Sequence, residues 1–115
     1  IDPRGEAALK ELAIILEQDK DINVMIEGHT DDVPYKAASG QIRDNWDLSV
    51  MRATTVVNII LKHGKIDPRR LTAAGRSEYN PIDNGKSAEA RAKNRRTEII
   101  LTPKMDELFK ILESN

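Results

Sequence analysis

The sequence contains no cysteine, which excludes a disulfide framework and any thiolate metal site but leaves the compartment undetermined. Aromatic residues make up only 3%, too few to build a stacking platform along a nucleic-acid strand. Charge of neither sign prevails. Lys plus Arg number 18 against 19 Asp plus Glu, a formal net charge of -1, so a global footprint for nucleic acid or anionic membrane is excluded and ionic recognition has to be local. No apolar run approaches the roughly 20 residues needed to span a bilayer. The start, "IDPRGEAALK", lacks the charged-then-apolar layout of a signal peptide, and its abruptness reads as an excised domain whose targeting segment lies elsewhere. What is present is 115 residues at 39% hydrophobic content, so residues 1–115 are expected to form a single globular unit.

Asp2 before Pro3 predicts a capped helix over about residues 3 to 18, with Leu9, Leu12, Ile15 and Leu16 at helical spacing. In "DINVMIEG", Ile22, Val24 and Ile26 alternate with Asn23, Met25 and Glu27, which predicts a strand ending near Gly28 with one face on the core. Residues 31 to 45 have no period and read as a long surface loop, a length often tied to function. Asp44 or Asn45 then caps a helix running to Gly64, its buried side marked by Leu48, Met51, Thr55, Val56, Ile59 and Ile60. A short strand is expected around 70 to 75, and the Asn-Pro and Asn-Gly signals of "RSEYNPIDNGKS" mark a second polar loop. "AEARAKN" reads as a short helix and "RRTEIILTP" as a strand stopped at Pro103. "MDELFKILE" closes the chain as a helix at about 104–113, expected to pack on the sheet. The order αβαβαβα with one-sided strands predicts an α/β two-layer sandwich: a small sheet with helices on one face.

Arg52 lies four positions after Leu48 and four before Val56, on the apolar stripe of its helix. A guanidinium there needs a partner, because it cannot shed its proton and an unpaired buried charge costs several kcal/mol. A helix that follows a strand usually packs back on it, which brings Asp31 or Asp32 within reach. The pair is either a salt bridge serving the fold or two charges held apart to grip a ligand of both signs. His29, Asp31 and Asp32 could be combined as a metal site, but the other imidazole, His63, sits near the far end of a helix. Ser49, His29 and Asp31 make a hydrolase triad on paper, without a nucleophile elbow. Arg69 and Arg70 read as solvated residues at a strand start, whereas Arg95 and Arg96 begin a strand and point to opposite faces.

The ordered motifs "GHTDD", "NWDLSVMRA", "LTAAGRSEYNP" and "AKNRRTEIIL" together resemble the OmpA-like C-terminal domain of the OmpA, MotB and peptidoglycan-associated lipoprotein family. The long stretch from Asp31 to Asn45, with "TDDVPY" and "NWDLS", is closest to the MotB-like subgroup. The resemblance implies a βαβαβ-type sandwich with a mixed sheet, its first strand missing from this stretch. It further implies a noncatalytic anchor in the periplasm, part of an outer-membrane or cell-envelope protein, that binds the diaminopimelate side chain of the peptidoglycan stem peptide. By motif, the ligand-binding residues are Asp31, Arg52, Asn45, Thr30, Leu48 and Arg95. Diaminopimelate ends in a zwitterion, so Arg52 would take its carboxylate and Asp31 its ammonium. No cofactor, metal or nucleic acid is implied. The membrane enters only through segments outside this stretch, and a homodimer stays open. Two rival readings also stay open: a protein-interaction module using the 32–44 loop, and a wall hydrolase built on His29, Asp31 and Ser49.

Overall fold

A computed structural model of the chain describes residues 2–37, 39–103 and 112. The expected helix at 104–113 lies, apart from that one residue, outside the described residues. The elements run α1 (Pro3–Gln18), β1 (Ile22–Gly28), α2 (Asn45–His63), a 3-10 turn (Pro68–Arg70), β2 (Leu71–Gly75), α3 (Ala88–Asn94) and β3 (Thr97–Pro103). Each α-helix begins on a side chain that satisfies an orphan amide. Asp2 accepts from the Gly5 N–H at 2.8 Å, Asp44 from Asp47 at 2.9 Å and Ser87 from Ala90 at 3.1 Å, each worth about 1 kcal/mol.

The sheet has the order β2-β1-β3, with β1 parallel to β2 and antiparallel to β3. It is therefore the small mixed sheet expected. Helices α1 and α2 cover β1 and β2 from one side, and the core between the layers is aliphatic: Leu9, Ala13 and Leu16 of α1, Val24 and Ile26 of β1, Ala53, Val56 and Ile60 of α2, with Ile66. Burying a side chain such as Ile26 or Ile60 contributes about 1.5–3 kcal/mol. Strand β3 lies at the sheet edge beyond the helices. Ile99 and Leu101 are register partners of Ile26 and Val24 and share their face, yet both are exposed.

The buried line of α2 differs from the sequence expectation. It runs Asn45, Ser49, Ala53, Val56 and Ile60, while Met51 and Thr55 are exposed and Leu48 and Ile59 are half-buried. The reason is close approach to the sheet. A Cβ on Gly28 would fall 1.9 Å from the Ser49 carbonyl oxygen, and one on Gly75 would fall 2.5 Å from Ser49 Oγ. Gly28 and Gly75 are cross-strand partners, so the two glycines form a bare floor on which only small α2 residues fit.

Arg70 also departs from expectation. It is 8% exposed and donates to three backbone carbonyls, those of Ile22 at 2.9 Å, Leu16 at 2.8 Å and Asp19 at 2.6 Å. Its guanidinium ties the end of α1 to the start of β1. Arg69 is exposed and forks onto Asp67, with Nη2 to Oδ2 at 2.7 Å.

Candidate functional site

Past Gly28 the chain stays buried through His29 and Thr30 before surfacing at Asp31. Backbone bonds hold this exit. The His29 N–H donates to the Arg96 carbonyl and the Thr30 N–H to the Ser77 carbonyl, each at 2.9 Å. Ser77 adopts a left-handed φ of 53°, unusual for a residue with a side chain. That conformation accompanies its N–H bond to Ser49 Oγ at 3.0 Å, so α2, β1 and the loop after β2 lock together here.

A pocket of about 250 Å³ opens at this junction. Its walls include Thr30, Asp31, Asn45, Leu48, Arg52 and Arg95, all six residues expected from the sequence, with Val33, Pro34 and Tyr35 closing the loop side. Arg52 reaches in from α2, where its Nη1 donates to the His29 carbonyl at 3.1 Å. Burial, and then the neighbouring Arg95 charge, lower the pKa of this guanidinium, while Asp31 opposes them. Asp31 lies near enough to act on Arg52 electrostatically, but its ion pair is with Arg95, Nη1 to Oδ2 at 2.7 Å. Its other oxygen, Oδ1, accepts the Val33 N–H at 3.0 Å. Asn45, buried in the first turn of α2, donates to the Val33 carbonyl at 3.2 Å and ties loop to helix.

Asp32 turns the other way. It pairs with Lys86 at 2.5 Å and Arg91 at 2.9 Å, and these hydrogen bonds, Lys86 first, hold its carboxyl down to about 2. Arg95 caps α3 rather than starting β3, which begins at Thr97. Asn94 before it accepts the N–H groups of Ile82 and Asp83 at 2.8 and 3.1 Å, anchoring the second loop behind the site. The sequence signal for this role is the asparagine of "NRR"; nothing in its spacing names Ile82 as the partner.

His29 is 1% exposed. Its Nε2 lies 2.9 Å from Glu27 Oε1 and 3.0 Å from Glu98 Oε2. Glu27 and Glu98 are register partners, a like-charge pair that is unfavourable unless bridged. Among the described residues, Glu27, His29 and Glu98 could geometrically hold a metal, their donor atoms lying within 4.8 Å of one another. Arg96 at 3.0 Å from Glu98 and Arg76 at 3.7 Å from Glu27 already supply the balancing charge. His29 is thus grouped with these glutamates rather than with Asp31 and Asp32. The paper triad does not assemble either, since Ser49 Oγ is fully buried, donates to the Trp46 carbonyl at 2.9 Å and accepts from Ser77.

The sequence and the fold, a small mixed sheet with helices on one face, match a known class. A model of the OmpA family matches residues 1–95, and the chain belongs to that family. It is 38% identical over 95 residues to Motility protein B of Bacillus subtilis, an alignment covering 83% of this chain and 36% of that protein. The chain therefore spans little more than a third of the length of that curated relative. Among solved structures, the periplasmic domain of Helicobacter pylori MotB is similar at a TM-score of 0.80 and 25% identity, covering 99% of this chain and 71% of the other. The peptidoglycan-associated lipoprotein of Burkholderia pseudomallei has a TM-score of 0.76 at 22% identity, covering 89% of this chain and 80% of the other; that likeness concerns the fold alone. Among the described residues, no helix is long and apolar enough to cross a membrane.

Proposed function

We propose that the chain is a noncatalytic peptidoglycan-binding unit that grips the free end of diaminopimelate in the stem peptide and so anchors an envelope protein to the wall. The observation that carries this reading is that Arg52 and the Asp31–Arg95 pair line one small pocket. Arg52 has one donor engaged by the His29 carbonyl, which fixes the planar fork while its other N–H groups serve a carboxylate. Each Asp31 oxygen accepts one bond from the protein and keeps a second lone pair for an ammonium. Two guanidiniums against one carboxylate give the pocket a net positive charge, which favours a ligand that presents a carboxylate. Leu48 and Pro34 offer apolar contact to the methylene chain.

Support from relatives is of two kinds. One protein of the same fold is named for its association with peptidoglycan, and one relative of this chain is a periplasmic domain, so the periplasm is the compartment this reading implies. A binding role rather than catalysis accords with Ser49 being sealed and His29 being bound to glutamates.

Sedimentation with purified diaminopimelate-type peptidoglycan tests the proposal. Wild-type protein pellets with the wall, and Arg52→Ala stays in the supernatant while keeping a cooperative thermal melt. Equal pelleting of the two overturns the reading.

A further inference from the structure

Gly28 turns its bare Cα towards Ser49 of α2, so its chain neighbours Glu27 and His29 point to the opposite face of the sheet. There the buried His29 imidazole is held between two strands. Its Nε2 lies 2.9 Å from Glu27 Oε1 on β1 and 3.0 Å from Glu98 Oε2 on β3. A carboxylate only accepts, so Nε2 carries the hydrogen and shares it between the two oxygens. Nδ1 is buried and has no hydrogen-bond partner among the described residues. The ring therefore acts through one nitrogen. Arg96 pairs with Glu98 and Arg76 with Glu27, whereas His29 bridges both glutamates, which stand opposite each other in register and would otherwise repel.

The main chain of the same residue serves the pocket. The His29 N–H donates to the Arg96 carbonyl at 2.9 Å, and the His29 carbonyl accepts from Arg52 Nη1 at 3.1 Å. Among the described residues, no other hydrogen bond holds that guanidinium. His29 itself does not line the pocket.

We infer that His29 is a positioning residue: by tying Glu27 to Glu98, its ring fixes the carbonyl that aims Arg52 at the carboxylate of the ligand. This rests on the peptide-binding reading above, and it assigns part of the selectivity to a residue the ligand never touches. A guanidinium recognises a carboxylate through a planar fork. A fork tilted by a displaced anchor loses one of its two bonds, so the aim of the binding group depends on the residues that support it.

The test uses two stem peptides that carry diaminopimelate or lysine as the third residue. The lysine side chain ends in an ammonium without a carboxylate, so the ratio of the two affinities isolates the part played by Arg52. His29→Leu should cut the preference for the diaminopimelate peptide about tenfold, the size of a coupling within one hydrogen-bond network, and leave affinity for the lysine peptide unchanged. His29→Gln, whose amide nitrogen can fall where Nε2 was, should restore most of the preference. His29→Asn, whose nitrogen matches Nδ1 instead, should not. Glu98→Ala removes one acceptor at a half-exposed position and should lower the preference about threefold. A wild-type preference in both His29→Leu and Glu98→Ala, or an equal loss of affinity for the two peptides, overturns the positioning role and leaves the pocket reading intact. Wild-type protein that does not distinguish the peptides overturns both.

Discussion

Asp31 and Arg95 meet at 2.7 Å although 64 positions separate them in the chain. The contact joins the exit of β1 to the cap of α3, and it leaves Arg52 facing the same pocket from α2 with its own anchor on the His29 carbonyl. The Asp31 carboxylate and the Arg52 guanidinium thereby line one pocket while each has another direct partner.

Arg95 is expected to act largely by holding Asp31. Arg95→Ala should weaken binding of a diaminopimelate peptide by roughly tenfold, the scale of one charge-assisted hydrogen bond. Arg95→Lys should recover part of that loss. Calorimetric titration of the variants measures both, and an unchanged affinity for Arg95→Ala removes this role.

The glycine floor under α2 is expected to tolerate no side chain. Gly28→Ala drives a Cβ to 1.9 Å from the Ser49 carbonyl oxygen, backbone that cannot swing aside, at a cost of about 3 kcal/mol or more. Urea unfolding should show a lower midpoint or no folded baseline; a wild-type midpoint would mean that α2 does not sit as closely as described.

Arg70 should matter for stability and not for binding. Arg70→Ala orphans three carbonyls at the junction of α1 and β1, at a cost of about 3 kcal/mol. Denaturation and peptide titration in parallel separate the two effects. A variant that lost ligand affinity while keeping full stability would contradict the assignment.

Asp32 makes stability fall in acid. Its folded carboxyl is held down to about 2, first by Lys86 and then by Arg91, below the unfolded value of roughly 3.9. Its contribution is therefore fully present above about pH 4 and is lost as the pH drops through 4 towards 2. Comparing urea midpoints at several pH values across that window, Asp32→Asn should show a shallower decline than wild type. Parallel declines would show that the pairs with Lys86 and Arg91 are ineffective in solution.

Much of this was legible in the sequence, and what was not has physical causes. The polar end of "IEGHTDD" and the charge on the flank of α2 pointed to one pocket because strand-then-helix packing fixes which ends meet. The direct partner of Arg52 was not readable, since a backbone carbonyl leaves no mark in a side-chain pattern. The phase of α2 was misread because Ser49 and Ala53 are buried for being small, and size carries no weight in a search for apolar stripes. Arg70 looked solvated for a related reason: its partners are the carbonyls of Leu16, Asp19 and Ile22, invisible to charge pairing. Glu27 alternated correctly away from the core, yet is buried against His29 on the far side of the strand.

The most direct measurement compares two stem peptides that differ only at the third residue, diaminopimelate or lysine, by titration calorimetry against the wild-type protein and Arg52→Lys. Lysine lacks the side-chain carboxylate, so the wild type should bind the diaminopimelate peptide at least about a hundredfold more tightly, the scale of a bidentate charged pair. Arg52→Lys, with a point charge in place of a fork, should lose most of that preference. Equal affinity of the wild type for the two peptides would contradict the account at its centre.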